Sequence, residues 1–275
     1  MKNKVLTGLL LVLIGGWGSL SAQSAGSNYS RQVNTLIGTK GVGLTSGYLY
    51  PGATYPYGMV QFTPSYFSKR SGFVINQLSG GGCEHMGNFP TFPVKGKLKM
   101  SPDNILNYRI NISEEKGHAG YYEAMVQEDI KAKLTVTERT GMASYEYPAD
   151  QQYGTVIIGG GISATPIEQA AIVITAPNKC EGYAEGGNFC GLRTPYKVYF
   201  VAEFDTDALE SGTWKRNELK PNTTFAEGEY SGVYFTFDVN KKKNIQYKIG
   251  VSYVSVENAR ENLKAEKDRK STRLN

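Results

Sequence analysis

The stretch Ile245-Gln-Tyr-Lys-Ile-Gly-Val-Ser-Tyr253 gives the clearest indication of the fold. Its large apolar residues stand at every second position, and the residues between them are polar or small. A period of two puts alternate side chains on opposite faces of a strand, so the stretch predicts a half-buried β-strand. Residues 130–137 and 233–239 alternate in the same way, and residues 155–158 and 197–204 are apolar enough for strands buried more fully.

The strand-like segments are numerous, closely spaced and joined by turn-rich connections, and no long amphipathic helix precedes residue 255. This arrangement predicts an all-β fold, an antiparallel β-sandwich. Residues 238–244 have the composition of a hairpin connection. The pattern changes at Ser255, which can cap a helix whose Val256, Ala259 and Leu263 share one face and whose first turn carries Glu257. We therefore predict a β domain over residues 23–254 and a helix or linker over residues 255–267.

The N-terminus has the pattern of a secretory signal peptide. Lys2 and Lys4 precede an apolar run over residues 5–14, and small residues follow. The run is too short for a permanent membrane span. We predict that residues 1–22 are removed and that the mature protein is secreted or periplasmic, with no lipid-bearing cysteine and no membrane anchor.

The last eight residues, 268–275, are interpreted as an artefact. They back-translate as GAT CGG AAG AGC ACA CGT CTG AAC, a common sequencing-library adapter. This tail and the signal peptide each carry a net charge of +2, so excluding both lowers the formal charge from +5 to +1. A nearly neutral protein gives no reason to expect nucleic acid or an anionic membrane as a partner.

Residues 71–93, SGFVINQLSGGGCEHMGNFPTFP, have the composition of a ligand site. The three consecutive glycines at positions 80–82 let the backbone approach a ligand closely. Polar residues around them, including Asn76, Gln77 and Ser79, offer hydrogen-bond donors and acceptors. The composition is equally compatible with an ordinary surface loop, in which the glycines are present only because they form turns.

Other motifs point less clearly to chemistry. Residues 159–164 match the GxGxxA pattern of dinucleotide-binding folds, but Pro166 follows at once and the neighbouring segments are strands or loops. We interpret this segment as two strands joined or bent at glycines, with a flavin or nicotinamide protein as the lesser alternative. Because His85 and His118 are the two histidines, a histidine-rich zinc site is not expected.

The chain has three cysteines, an odd number for an exported protein. Cys180 and Cys190 are close in sequence and flank a short segment. Their spacing predicts a disulfide between them, which leaves Cys83 unpaired.

Three motifs, in their order and spacing, resemble the N-terminal domain of glycoside hydrolase family 92, the calcium-dependent exo-acting α-mannosidases. They are Val33-Asn-Thr-Leu-Ile-Gly-Thr39, Tyr50-Pro-Gly-Ala-Thr-Tyr-Pro-Tyr-Gly-Met-Val-Gln-Phe-Thr-Pro64 and Gln77-Leu-Ser-Gly-Gly-Gly-Cys83. Further matches extend the resemblance over residues 33–266.

This resemblance implies a β-sandwich followed by an (α/α)6 barrel, with the sugar site between the two domains. It also implies inverting hydrolysis of terminal α-linked mannose, with Ca²⁺ helping to distort the sugar. The catalytic carboxylates and most calcium ligands would belong to the barrel. We therefore expect no catalytic residue in this chain, an inactive fragment when it is alone, and mannose-containing glycans and its own barrel as partners. The metal ligands stay unassigned.

For the sandwich, the resemblance implies loops that line the mannose pocket, with Cys83 near the leaving-group sugar. The implied substrate-binding residues are Tyr50, Asn76, Gln77, Ser79, Gly80, Gly81, Gly82 and Cys83. The family commonly has His, Thr and His where this chain has Ile75, Asn76 and Gln77. Gln77 can still exchange hydrogen bonds but cannot change charge near neutral pH. A stand-alone carbohydrate-binding module is the alternative from a different functional class.

Overall fold

The computed structural model describes residues 29–39, 49–65, 72–103 and 111–266, so the predicted signal peptide and adapter-derived tail lie outside the described residues. These residues form a short 3₁₀ helix (Tyr29–Gln32), seventeen strands and one α-helix. The strands are β1 (Ala53–Thr54), β2 (Gln61–Pro64), β3 (Phe73–Val74), β4 (Thr91–Lys95), β5 (Ile112–His118), β6 (Tyr121–Val126), β7 (Ile130–Val136), β8 (Thr140–Glu146), β9 (Tyr153–Gly159), β10 (Ile167–Ala176), β11 (Lys179–Phe189), β12 (Leu192–Phe204), β13 (Glu210–Lys215), β14 (Glu218–Pro221), β15 (Phe225–Glu227), β16 (Ser231–Asp238) and β17 (Asn244–Ser252). The helix is α1 (Val256–Glu266).

The described strands form two sheets that pack face to face. One sheet has eight strands in the order β1-β2-β3-β4-β9-β16-β13-β14, and the other has nine in the order β15-β10-β11-β12-β17-β8-β7-β6-β5. Every pairing between these strands is antiparallel. The inward faces of both sheets contribute to one hydrophobic core. The predicted antiparallel sandwich is confirmed.

The predicted alternation of β17 is confirmed by its burial. Ile245, Tyr247 and Ile249 lie in the core with no more than 1% of their surface exposed. Gln246 and Lys248, between them, are only half-buried and lie on the outer face of the nine-stranded sheet. Burying one face of the strand removes apolar surface from water, which fixes the register because a shift by one residue would exchange the two faces.

A small polar cluster joins the two sheets inside this core. The Thr91 hydroxyl on β4 donates to the Phe73 carbonyl oxygen at 3.2 Å. Its oxygen also accepts from the Tyr145 hydroxyl on β8 at 3.2 Å and pairs with the Tyr247 hydroxyl on β17. Tyr145 is the donor to Thr91, whereas either hydroxyl of the Thr91–Tyr247 pair can donate. Thr91 is therefore a hydrogen-bonded contact between the sheets as well as a member of the β4 ladder.

The predicted hairpin over residues 238–244 is wrong. The chain does reverse there, but β16 pairs with β9 and β13 in one sheet, whereas β17 pairs with β12 and β8 in the other. The segment is thus a crossover between sheets. Its turn-forming residues signal a reversal without indicating which sheet each strand joins, because both strands present an apolar face to the same core.

Residues 160–166 connect β9 to β10 without forming a helix. Gly159 is opposite Gly232 in the eight-stranded sheet. The Gly160 and Gly161 amides both donate to the Ser231 carbonyl oxygen, at 2.9 and 3.0 Å. In a dinucleotide-binding protein these amides would bind a pyrophosphate at the N-terminus of a helix, but here they are hydrogen-bonded to a neighbouring strand. The alternative of a flavin or nicotinamide protein is therefore rejected.

Helix α1 begins where the sequence predicts. The Ser255 hydroxyl oxygen accepts from the Asn258 amide at 3.1 Å, which is an N-cap, and Ala259 and Leu263 are buried. The helix packs on the outer face of the nine-stranded sheet against β8, β11, β12 and β17. Among the described helices, none combines the length and the apolar character that crossing a membrane requires.

The predicted disulfide between Cys180 and Cys190 is wrong, and so is the unpaired Cys83. Cys83 is bonded to Cys190, with 5.4 Å between their Cα atoms, and Cys180 is a free, buried thiol. Cys180 lies near the start of β11 and Cys190 just beyond its end. Ten residues of extended strand span about 33 Å, far more than the ~7 Å that a disulfide allows between Cα atoms. Burial raises the pKa of the Cys180 thiol well above its usual range.

Candidate functional site

Five connections meet at one end of the sandwich, which we call the loop end. They are the glycine-rich loop (residues 77–88), the β9–β10 connection (160–166), the β11–β12 turn (190–191), the β17–α1 junction (253–255) and the β7–β8 turn (137–139). Strand register places Thr140 opposite Gly250 and Tyr199 opposite Ser252, so β8 and β12 reach the end of the sheet at which β17 ends. Strands β11 and β12 continue beyond this point to their turn. The glycine-rich loop contacts three of the other connections directly.

The base of the glycine-rich loop is fixed by an amide pair. Asn76 Nδ2 donates to Asn88 Oδ1 at 3.0 Å, and the backbone N–H of Asn88 donates back to Asn76 Oδ1 at 2.8 Å. The Tyr196 hydroxyl donates to Asn88 Oδ1 at 2.9 Å, and Asn76 Nδ2 also reaches the Tyr253 hydroxyl at 3.3 Å. Asn76 and Asn88 are both buried, so these bonds replace the water that their side chains lose.

Two tyrosines of this network stay protonated near neutral pH. Burial raises the pKa of Tyr196 to about 12, although hydrogen bonds with Asn88 and Ser163 oppose the rise. Burial also raises the pKa of Tyr253, against an opposing hydrogen bond with Asn76. Both hydroxyls can therefore donate, and Tyr253 directs its proton to the Met86 sulfur at 3.7 Å. The loop base carries no titrating tyrosinate at physiological pH.

Gln77 lies beneath the loop with only 2% of its surface exposed. Neither its Nε2 nor its Oε1 has a hydrogen-bond partner among the described residues, and the same holds for Asn88 Nδ2. Buried amide groups without partners are rare in folded proteins and are costly, by about 1–3 kcal/mol each. The loop base thus combines a well-bonded amide pair with amide groups that the described part of the fold leaves unsatisfied.

The tip of the glycine-rich loop, residues 79–82, is the part that faces outward. Ser79, Gly80 and Gly82 are exposed and Gly81 is half-buried. Gly80 and Gly82 adopt φ values of +72° and +77°, in the left-handed region that favours glycine. Gly81 lies against the Leu78 and Phe189 side chains. The tip therefore offers bare backbone and one hydroxyl at the surface.

His85 anchors the loop beyond its tip. Its Nδ1 lies 3.3 Å from the Asn188 carbonyl oxygen, and its ring packs edge-on against Phe189 and Tyr196. Only 8% of its surface is exposed. His85 is therefore a packed, hydrogen-bonded residue at the contact between the loop and the β11–β12 hairpin.

The structure separates the predicted substrate-binding residues into two groups. Tyr50, Asn76 and Gln77 are buried, whereas the tip and the half-buried Cys83 are at the surface. Whether any of them contacts sugar stays a prediction. Sequence reasoning missed Tyr196 and Tyr253 as members of the site. No local pattern marked them, because each joins the loop through contacts between residues more than 100 positions apart.

Three carboxylates at or beside the ends of strands form ion pairs with lysines. Asp129 pairs with Lys95, Glu203 with Lys179 and Asp205 with Lys242. Within residues 29–39, 49–65, 72–103 and 111–266, no group of three or more His, Cys, Asp or Glu side chains could hold a metal ion. The calcium ligands that the family resemblance implies stay unassigned.

Two cavities lie on the outer face of the nine-stranded sheet, away from the loop tip. One of about 420 Å³ runs beside α1 and includes Glu181 and Arg260. The other, of about 290 Å³, includes Asp205 and Gln246. Arg260 and Glu181 form a bidentate ion pair, at 2.6 and 3.0 Å, that helps attach α1 to β11. None of the predicted substrate-binding residues lines either cavity.

Comparison with known proteins identifies the domain. The sequence profile of the glycosyl hydrolase family 92 N-terminal domain matches residues 32–252, most of the chain. The chain belongs to this family. Residues 32–252 contain both sheets of the sandwich and the whole glycine-rich loop, so the family 92 domain and the observed fold coincide.

Solved structures of family 92 proteins share this fold. The α-mannosidase BT3965 from Bacteroides thetaiotaomicron is 24% identical with a TM-score of 0.75, and the match covers 88% of this chain and 36% of that protein. The family 92 glycosyl hydrolase ccman5 is 21% identical with a TM-score of 0.73, covering 87% of this chain and 34% of that one. The inverting mannosidase BT2199 from Bacteroides thetaiotaomicron is 23% identical with a TM-score of 0.71, covering 86% and 33%.

A curated protein is also similar to this chain. An uncharacterized secreted glycosidase of Arthroderma benhamiae is 24% identical in a match that covers 86% of this chain and 34% of the relative. The chain thus spans about a third of the length of the relatives it matches.

Proposed function

We propose that the full-length protein is an exported, exo-acting α-mannosidase that hydrolyses terminal α-linked mannose from glycans with inversion. Membership of family 92 carries this proposal. Two of the solved relatives are α-mannosidases or mannosidases by name, and the BT3965 structure has also been solved in complex with mannoimidazole. Export is supported by the secreted fungal relative and by the signal-peptide pattern over residues 1–22.

In this proposal the catalytic carboxylates and the calcium site lie in a second domain that follows α1. An inverting glycosidase needs one carboxyl group as acid and one as base, about 6.5–9.5 Å apart, with a water between the base and the sugar. Glu203 on β12, Asp205 just beyond its end and Asp129 in the β6–β7 turn are held in lysine ion pairs instead. The relatives are about three times the length of the matched region, which leaves room for such a domain.

The sandwich would contribute the glycine-rich loop as one wall of the mannose pocket. The loop tip, residues 79–82, offers backbone amides, carbonyls and the Ser79 hydroxyl, which suit the hydroxyl groups of a sugar. Tyr253 joins the loop base directly to the junction from which the chain enters α1. The other end of α1 is attached through Glu266 to the β7–β8 turn, so a domain following α1 would begin at the loop end of the sandwich and could form the opposite wall.

A mannose-release assay tests this proposal. The full-length protein, incubated with an α-linked mannobiose, is expected to release mannose whose first-formed anomer is β, as followed by NMR. The chain of residues 1–275 is the control and is expected to release none. Hydrolysis by this control, or an α anomer from the full-length protein, would contradict the proposal. Calorimetric titration of residues 1–275 with mannose tests the alternative of a stand-alone carbohydrate-binding module. Half of an enzyme site should give no heat at millimolar sugar, whereas a binding module should give measurable heat.

A further inference from the structure

We infer that Cys83 and Cys190 are positioning residues whose disulfide holds the loop tip at the mouth of the mannose pocket, and that a dithiol reductant can release the tip. The inference uses the proposed function for the identity of the pocket. The connection itself rests on the described contacts. It also means that Cys83 presents a disulfide sulfur, and not a thiol, to anything that binds beside it.

The first argument is that the tip has few other attachments. Among the described residues, no hydrogen bond joins residues 79–82 to the rest of the fold. The nearest backbone hydrogen bonds are at the loop base, where the Ile75 amide donates to the Asn88 carbonyl and the Ala164 amide donates to the Met86 carbonyl. Cys83 immediately follows the tip, so its bond to Cys190 is the covalent restraint closest to it.

The second argument is the backbone at the other cysteine. Phe189 and Leu192 are paired across a two-residue turn, in which Cys190 and Gly191 have φ values of +53° and +84°. Such a turn favours Asn or Gly at its first central position. Glycine has no Cβ and Asn tolerates the left-handed region, whereas most other side chains are crowded there. A cysteine is a poor choice for this turn, so its presence is explained by the partner it bonds across 107 residues.

The third argument is accessibility. Cys190 is exposed and Cys83 is half-buried, whereas Cys180 is fully buried. A dithiol in solution can attack Cys190 Sγ through its thiolate, displacing Cys83 as a thiolate that takes up a proton. The second thiol of the reductant then closes a cyclic disulfide and releases Cys190. Two electrons and two protons pass to the protein, giving two thiols, while the dithiol is oxidised.

Reduction should free the tip without unfolding the loop base. His85 keeps its contacts with the Asn188 carbonyl and the Phe189 and Tyr196 rings, and the Asn76–Asn88 pair is untouched. A local effect on residues 79–83 is therefore expected, with the anchoring amides unchanged.

The test uses the variant Cys190→Asn in the full chain, since Asn suits the turn while removing the disulfide. Cys83→Ser removes the bond from the other side, and Cys180→Ala is the control that removes a thiol and keeps the bond. Cleavage by subtilisin within residues 78–83 is followed by mass spectrometry. We expect at least a tenfold faster cleavage in both bond-deleting variants and in the wild type treated with dithiothreitol, with the control at the wild-type rate.

Hydrogen exchange at two amides distinguishes positioning from a general loss of structure. The Gly191 amide donates to Asn188 Oδ1 at 2.9 Å and reports on the turn, and the Ala164 amide reports on the loop base. Both should exchange within twofold of the wild-type rate in Cys190→Asn. Unchanged cleavage within residues 78–83, or an equal rise in exchange at Ala164, would overturn the inference.

The same variant links the disulfide to the pocket. In the full-length protein, Cys190→Asn is expected to raise KM for an α-linked mannobiose at least threefold with kcat within twofold. If cleavage is faster but KM is unchanged, the disulfide holds the tip without affecting mannobiose binding, and the proposed positioning role at the pocket is wrong. A full-length wild type that releases no mannose would instead contradict the proposed function, while the cleavage result would still decide whether the disulfide holds the tip.

Discussion

Glu266 carries a negative charge at the C-terminal end of α1, where the helix dipole disfavours it by about 0.3–1 kcal/mol. Hydrogen bonds to its carboxylate outweigh this cost. The Thr137 and Thr140 hydroxyls and the Arg139 amide donate to Oε2, and Arg139 Nε donates to Oε1 at 2.8 Å. Each bond to a charged group contributes roughly 1.5–3 kcal/mol. Glu266 therefore attaches the end of α1 to the β7–β8 turn.

Replacing Glu266 by Gln should weaken this attachment in a pH-dependent way. Burial alone would raise the pKa of the Glu266 carboxyl group, but hydrogen bonds from Thr137, Arg139 and Thr140 lower it below its ordinary value. A lowered folded-state pKa stabilises the protein above the unfolded value of about 4.3, and this stabilisation is lost as the pH falls through the folded pKa. We expect Glu266→Gln to lose about 2 kcal/mol at pH 7 in urea unfolding and less at pH 3.

The exposed Glu261 on the same helix supplies the control for that measurement. Glu261→Gln should change the free energy of unfolding by less than about 0.5 kcal/mol at pH 7. Equal losses for Glu266→Gln at pH 7 and pH 3 would show that the carboxylate charge does not hold the helix.

At the scale of elements, α1 depends on a strand position without a side chain. A Cβ placed on Gly250 would lie 2.6 Å from the Ala259 carbonyl oxygen and 2.8 Å from Leu263 Cβ. Gly250→Ala should therefore displace the helix, and we expect a loss of about 1–3 kcal/mol and faster hydrogen exchange across α1. Gln246→Ala, on the same face of β17 but away from the helix, is the control. Unchanged exchange in α1 of the glycine variant would refute the close packing.

The sequence predicts where strands and helices lie along the chain, but it does not predict which residues contact one another across the fold. The alternation from Ile245 to Val251 predicted β17, and Ser255 predicted the start of α1, because burial period and capping are local properties. The partner of Cys190 could not be predicted, since it depends on where β11 ends relative to a loop 107 residues away. The role of Tyr253 was also hidden, because the strand pattern continues through it although β17 ends at Ser252.

At the scale of the whole molecule, Thr91 is a test of how the two sheets are joined. Thr91→Val keeps the shape of the side chain but removes the hydroxyl to which the buried Tyr145 and Tyr247 hydroxyls are bonded. Since an unsatisfied buried donor costs about 1–3 kcal/mol, we expect a loss of at least 2 kcal/mol in chemical unfolding. Thr91→Ser keeps the hydroxyl and should lose only about 1 kcal/mol for its missing methyl group. A valine variant as stable as the serine variant would rule out this role.

The order of strands also sets when the domain can form during synthesis. β17 lies between β12 and β8 in the middle of its sheet, and β16 lies between β9 and β13 in the other, yet both are the last strands to be made. The β5–β8 group therefore cannot join the β10–β12 group before residue 252 has left the ribosome. At about 5–20 residues per second, the nascent chain stays unable to complete its core for roughly 13–50 s. In the export that we propose for this protein, such an interval would keep the chain unfolded enough to pass through a translocation channel.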